Sequence, residues 1–312
     1  MGVLDKQPAR LFLFPGMLNG KRIAVVVPAF NEADKIGRTI RSIPGFVDHV
    51  LVVDDGSRDA TARIAGRSAR RGLEVLAHPR NRGVGAAIAT GYRRAMALGV
   101  DATAVMAGDA QMDPADLLGL LGPVLADRAD YAKGNRLAWP NCWRQMPPSR
   151  YIGNLVLSFL TRLACGQHVR DSQCGYTVAS PAALRAIDPD AMFARYGYPN
   201  DLLGRLLRAR ARVLDVPVRP VYGADWRSGI RIRAVILPLL FLLGRAFLRR
   251  IWDACLLVPG RRPVARGARD SSEIGAPAEA HARRRAGAKA TEPEPAVVDV
   301  ETMAAVSTPV SA

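Results

Sequence analysis

The stretch Arg22–Glu32, RIAVVVPAFNE, decides the fold. Its opening residues form a continuous apolar, β-branched run closed by turn chemistry, the pattern of a strand buried on both faces of a parallel sheet. Asn31 then offers an N-cap, and Ile36, Ile40 and Ile43 fall on one face of the helix it starts.

Outward from this unit the strand-then-helix cycle recurs three times. His49–Asp55 (HVLVVDD) leads to a helix holding Ala60 and Ile64 that stops at Gly72. Leu73–Ala77 leads through NRGVG to a helix over Ala86–Leu98, and Asp101–Met106 leads to a helix starting near Pro114. The alternation predicts a doubly wound, mostly parallel α/β sheet in which the strands of the second and fourth units flank the first. Past Tyr131 the rhythm loosens. Strands are expected over Tyr131–Arg136, Tyr176–Ala179 and Val213–Tyr222, a proline-rich loop over Trp139–Ser149, and helices over Tyr151–Ala164 and Asp201–Ala211.

Ligands of open parallel sheets bind outside the carboxyl ends of the strands, beside the point where strand order reverses. Those ends carry Glu32, then Asp54 and Asp55, then Asp109, so the predicted crevice is acidic. No GxGxxG follows the first strand and no Walker motif occurs, which excludes the common pyrophosphate cradles. Gly83-Val84-Gly85 reads as a tight turn into a helix. Carboxylates beside a nucleotide either accept hydrogen bonds from base and ribose or hold a divalent cation against its phosphates. The competing reading, acids that merely cap the next helix, fits Asp59 best.

Seven blocks stand in one order along the chain: PAFNE (from Pro28), VVDDGSRDAT (from Val52), NRGVGAA (from Asn81), GDAQMDP (from Gly108), KGNR (from Lys133), DSQCGY (from Asp171) and DVPVRPVYG (from Asp215). This order resembles family 2 glycosyltransferases, in particular the branch that looks like dolichyl-phosphate mannose synthase. The resemblance implies a GT-A fold, inverting transfer from a nucleotide-diphosphate hexose (GDP- or UDP-linked), and a Mg²⁺ or Mn²⁺ cofactor. Carried over by position, Pro28, Phe30, Glu32, Val53 and Asp55 would cradle base and ribose. Asp109 would ligate the metal, with Ala107, Gly108 and Gln111 beside the sugar-phosphate. Arg136, Arg150 and Arg231 would meet the pyrophosphate or an acceptor phosphate. Two positions depart from the pattern: Ala107 stands where the first acid of the DxD motif is expected, and Asp225 where a basic residue is.

The 312 residues carry 44 Lys+Arg against 28 Asp+Glu, a net +16. Residues 227–269 hold ten Arg, no Lys and one acid, so a net nine of those charges sit in one segment. Its apolar run Ala234–Leu243 is ten residues long, short of the ~20 a spanning helix needs. Extending it would put Arg245, Arg249, Arg250 and Asp253 into lipid, at roughly 2.5–3.5 kcal/mol each. The expectation is a basic amphipathic pair lying in an anionic headgroup layer, with packing on the protein's own sheet as the alternative. Nucleic acid is not an expected partner, since the basic run lacks interleaved aromatic platforms. The cysteines show no CxxC pairing, and a cytoplasmic, peripherally membrane-associated protein is expected.

The resulting plan is an N-terminal arm (1–20), a GT-A domain (21–226), membrane-interface helices (227–258) and a disordered tail (259–312). The expected activity is hexosyl transfer onto a polyprenyl phosphate, whose oxyanion needs no strong base; Asp109, Arg136 and Arg231 would stabilise the leaving diphosphate. A glycan or small-molecule hydroxyl acceptor is the alternative and would need a base, for which Asp201 or Asp171 is the candidate. A non-catalytic nucleotide-binding protein is the third reading, motivated by Ala107.

Overall fold

The computed structural model describes residues 13–14, 17–18, 20–165, 169–222, 241–248 and 251–252. A short hairpin of β1 (Leu13–Phe14) and β2 (Met17–Leu18) precedes the main sheet. Then follow β3 (Ile23–Ala29), α1 (Ala33–Ser42), β4 (His49–Asp54), α2 (Thr61–Gly66), β5 (Leu73–Ala77), α3 (Val84–Leu98), β6 (Ala102–Val105) and α4 (Leu117–Leu125). The second half contributes β7 (Tyr131–Asn135), α5 (Cys142–Gln145), α6 (Pro148–Cys165), β8 (Thr177–Ala179), α7 (Pro181–Ile187), α8 (Tyr198–Arg208) and β9 (Val213–Pro217). Residues 241–248 are also helical.

Seven strands form one sheet in the order β5-β4-β3-β6-β8-β7-β9. Strands β4 and β6 flank β3 in parallel, as expected, and β8 alone runs antiparallel to both its neighbours. Strand β3 is buried along its whole length. Its alternate residues feed two cores: Val25 and Val27 meet Ile36, Ile40 and Leu120 on one face, while Ala24 and Val26 meet Ala87, Ile88 and Tyr92 on the other. A strand covered on both sides has no wet face to alternate with, which is why RIAVVVP is uniformly apolar.

The second half differs from expectation in three places. The proline-rich loop contains α5, and α6 begins at Pro148, whose fixed φ suits the first turn of a helix. Helix α7 was not anticipated; Ser180 caps it by accepting from Ala183 N at 3.1 Å, and Pro181 fills its first turn. Strand β9 stops at Pro217 instead of reaching Tyr222, because its partner β7 ends at Asn135 and turns into a 3-10 helix over Arg136–Ala138. Cys142, Cys165 and Cys174 are buried thiols. Nearly all of the arm 1–20, much of the interface segment 227–258 and the whole tail 259–312 lie outside the described residues.

Helix α3 crosses β3 so closely that a Cβ on Gly91 would overlap Cγ1 of Val26. The gain in helix propensity from Gly91→Ala, ~1 kcal/mol, opposes an overpacking cost of ~1–3 kcal/mol against a stiff valine. The expected outcome is a net loss of up to about 2 kcal/mol in urea unfolding.

Candidate active site

The carboxyl ends of β3, β4 and β6 meet because the ladder continues past the strands. Asp55 N donates to Ala29 O at 2.8 Å, and Gly108 N donates to Pro28 O at 3.1 Å, which sets Asp109 beside the PAFNE turn. Thr39 of α1 donates to Gly108 O at 3.1 Å and fixes that turn from the other side.

Side chains then stitch the first two turns together. Asn31 N donates to Ser57 Oγ at 2.9 Å, Arg58 N to Asn31 Oδ1 at 2.9 Å, Glu32 N to Thr61 Oγ1 at 2.8 Å and Ala33 N to Asp59 at 3.1 Å. Asn31 takes positive φ to allow this turn. Phe30 is consequently pushed outward, 42% exposed at the mouth of the crevice. Pro28 and Val53 face each other across the β3–β4 ladder and are buried.

The acids divide into two groups. Asp54 and Asp55 are buried and occupied internally. Asp54 accepts from Ser57, and Asp55 accepts from Arg82 N at 2.9 Å, from Gly83 N at 2.7 Å and pairs with His78 Nδ1 at 2.7 Å. Asp55 thereby holds the NRGVG turn, whose Gly83 (φ +104) and Gly85 press against the backbone of residues 193–194, with Ala86 N donating to Ala194 O at 3.0 Å.

Glu32 and Asp109 instead face the crevice. Burial raises Glu32 above the ordinary carboxylate range, Lys35 opposes the rise through a 3.3 Å ion pair, and Asp109 adds to it. Burial also raises Asp109, offset only in part by the Gln111 N–H at 3.1 Å and by Lys35. Asp109 is therefore a desolvated carboxylate with little local compensation, the condition a divalent cation would relieve. Among the described residues no three His, Cys, Asp or Glu groups cluster as a complete metal cage. The donor set fits a Mg²⁺-type site in which one carboxylate is completed by substrate phosphate oxygens. Ala107 supplies no ligand; its N–H donates to Met112 Sδ at 3.3 Å.

Beyond β7, Arg136 forms a fork with Asp171, Nε–Oδ2 at 2.8 Å and Nη2–Oδ1 at 3.0 Å, and its Nη1 donates to Tyr222 OH at 3.3 Å. Burial alone would raise the Asp171 carboxyl, but Arg136, with Lys133 and the Asn154 amide at 2.8 Å, holds it below the ordinary range. Arg150 lies near enough to Tyr222 and Tyr196 to oppose the rise that burial gives both phenols, and Asp109 and Glu32 raise Tyr196 further. Tyr196 thus lies within electrostatic range of Asp109, Glu32 and Arg150. Asp201 is buried and accepts from Phe193 N at 3.0 Å, Arg205 Nε at 2.8 Å and Arg245 Nη2 at 2.7 Å.

The structure therefore brings Phe30, Glu32, Gly108, Asp109 and Gln111 to one crevice and Arg136 and Arg150 to its basic side. Asp55 stands at the expected strand end with its oxygens turned to the NRGVG turn. Asp171 and Asp201 are both held in arginine pairs, and Arg136 keeps the Asp171 carboxyl below the ordinary range. Arg231 and Asp225 lie outside the described residues. Sequence reasoning missed Lys35, Tyr196 and Asn154. Only Lys35 left a signal, its i,i+3 spacing from Glu32.

Asp171→Ala would strand the Arg136 guanidinium, and a loss of about 3–5 kcal/mol in chemical denaturation is expected. Because Asp171 is depressed when folded, its contribution is present above the unfolded carboxyl pKa of ~3.9 and disappears as pH falls through the lower folded value. Wild type and variant should therefore converge in stability only in strong acid.

The family model described as "Glycosyl transferase family 2" matches residues 24–187. A UDP-N-acetylglucosamine–dolichyl-phosphate N-acetylglucosaminyltransferase of Methanococcus voltae is 30% identical over 217 residues, covering 65% of this chain and 86% of that protein. A polyprenol monophosphomannose synthase of Mycolicibacterium smegmatis is 29% identical over 224 residues, covering 68% and 83%. The crystal structure of glucosyl-3-phosphoglycerate synthase from Mycobacterium tuberculosis with Mn²⁺ and UDP-glucose superposes with TM-score 0.55 and 25% identity, covering 72% of this chain and 80% of that one. The sheet order, the acidic strand ends and these likenesses converge: the chain belongs to glycosyl transferase family 2 and is a glycosyltransferase of the GT-A fold.

Proposed function

We propose that this glycosyltransferase moves a hexose from a GDP- or UDP-sugar to a polyprenyl phosphate at the cytoplasmic surface of a membrane, with inversion and with Mg²⁺ or Mn²⁺. The observation that carries the acceptor assignment is the commitment of Asp171 and Asp201 to Arg136, Arg205 and Arg245. A hydroxyl nucleophile needs a carboxylate free to take its proton, whereas a phosphate oxyanion is already ionised at neutral pH. The named transferases above, which act on dolichyl-phosphate or make polyprenol monophosphomannose, support the same acceptor class.

In this reading Phe30 offers a face to the base, with the Pro28–Val53 edge beneath it, and Asp55 acts by holding the NRGVG turn. Glu32 and Asp109 supply negative charge at the crevice; Asp109 would hold a divalent cation, which would supply positive charge against the departing diphosphate. Gly108 and Gln111 line the sugar-phosphate side. Arg136, fixed in direction by its fork on Asp171, and Arg150 hold the acceptor phosphate; Arg231 is assigned to the same group of cations. Residues 21–226 are proposed to form the catalytic unit, with 227–258 at the membrane interface and 259–312 as a tail without catalytic content.

Incubation of the protein with radiolabelled GDP- and UDP-sugars, polyprenyl phosphate and Mg²⁺ or Mn²⁺, followed by solvent extraction, should place label in the lipid fraction. Label only in water-soluble glycan would overturn the acceptor assignment, and nucleotide binding with no transfer to any acceptor would overturn the enzyme's role in this reaction. Asp109→Asn should lower the rate about 10²-fold or more and flatten its dependence on metal concentration. Since burial raises both Glu32 and Asp109, protonation removes the crevice charge early, and the acid limb of the pH–rate profile should lie above the ordinary carboxylate value of ~4.

A further inference from the structure

Helix α6 is amphipathic in the reverse sense of a globular surface helix. Its inner face is polar: Asn154, Ser158 and Thr161, at i, i+4 and i+7, are buried and hydrogen-bonded. Asn154 donates to Asp171 at 2.8 Å, Ser158 accepts from Ser172 N at 2.9 Å, and Thr161 donates to Asn200 Oδ1 at 2.8 Å. Its outer face is apolar: Ile152, Leu155, Val156 and Phe159 are 60, 43, 51 and 57% exposed. These positions lie together on the side of the helix opposite Asn154 and Ser158. Trp143 of α5, 55% exposed, adds an aromatic nearby in the chain.

An apolar face turned outward on a helix whose polar groups are satisfied inside marks an interaction surface. Charge identifies the partner. Residues 131–170 contain six basic residues and no acid. Arg144 stacks over Trp143 at 4.8 Å and Arg162 over Phe159 at 6.0 Å, so cations sit at the border of the apolar patch. Long basic side chains beside aliphatic and aromatic anchors are what an anionic headgroup layer accepts. Along another side of α6, Leu157, Leu160 and Ala164 pack against Leu243 and Ala246 of the helical residues 241–248. Those residues also expose Phe241 and Leu248, so the patch is continued by a second element.

We propose that the outer face of α6, with Trp143, docks onto an anionic lipid bilayer, and that this helix is a membrane-binding element in addition to the basic segment 227–258. The proposal deepens the polyprenyl-phosphate reading and rests on it for its purpose. Since the inner face of the same helix holds Asp171, which holds Arg136, docking would set the phosphate-binding guanidinium at a fixed height above the headgroups.

The test uses the full chain and vesicle co-sedimentation, with phosphatidylglycerol–phosphatidylcholine vesicles against phosphatidylcholine alone, and needs no transfer activity. Wild type should partition onto the anionic vesicles. Ile152→Glu with Phe159→Glu should weaken that partitioning at least about tenfold. The milder pair Trp143→Ser and Phe159→Ser should weaken it less while melting as wild type does. Transfer to a short-chain acceptor in detergent should survive in both variants. Unchanged vesicle binding in the glutamate variant, or no preference of the wild type for anionic vesicles, would overturn the proposal. So would a lowered melting temperature in the serine variant, which assigns the face to packing against the chain itself, or a wild-type dimer that the substitutions dissociate. Vesicle binding lost as expected while label enters only water-soluble glycan would overturn the acceptor assignment and leave the docking face standing.

Discussion

Burial of β3 on both faces is the constraint on which the rest of the molecule depends. A strand sealed between two layers of helices can present functional groups only at its ends. The turn after Ala29 therefore carries the first elements of the site, and the flanking strands β4 and β6 deliver theirs to the same edge. Backbone hydrogen bonds beyond the strand ends, from Asp55 to Ala29 and from Gly108 to Pro28, extend that order into the loops. The crevice is an extension of the ladder and inherits its rigidity.

Much of this was legible in the sequence because periodicity and turn chemistry are local. The uniform run RIAVVVP announced a doubly buried strand, and the acids at successive strand ends announced the crevice. Helix α7 escaped because its seven residues are too few to show a period, although Ser180-Pro181 at its start is cap chemistry that could have been weighed. The antiparallel direction of β8 was not readable from three residues. The Asp171–Arg136 and Asp201–Arg245 pairs were hidden for a different reason: the partners are 35 and 44 positions apart and no local rule links them, whereas Arg205 stands at i,i+4 from Asp201. The same holds for Asp55, whose bonds to Arg82 N and Gly83 N in the NRGVG turn span 27 and 28 positions.

The two halves of the cleft handle charge in opposite ways. On the donor side Glu32 and Asp109 remain under-compensated, with Lys35 as their nearest opposing charge, and are left as a place for positive charge to bind. Near Arg136 the two buried carboxylates Asp171 and Asp201 are matched by arginine, and an unpaired ion there would cost several kcal/mol. Net charge alone does not choose among nucleic acid, membrane and phosphate ligands. Its partition between an acidic crevice and a basic flank separates the step that needs a cation from the step that meets an anion.

Asp201 shows how far this pairing reaches. One carboxylate joins α8, the segment carrying Tyr196 and, through Arg245, the helical residues 241–248, of which Phe241 and Leu248 are exposed. Freeing it to serve as a base would leave two arginines without their counter-charge and release the Phe193 N–H that holds the Tyr196 segment beside the crevice. Asp171 is bound in the same way to Arg136 and to the inner face of α6. A hydroxyl acceptor would require the protein to dismantle one of these supports at the moment of reaction, whereas an ionised phosphate requires neither and meets the arginines already in place. The architecture of the acceptor side thus favours a phosphate nucleophile through what its carboxylates are already doing.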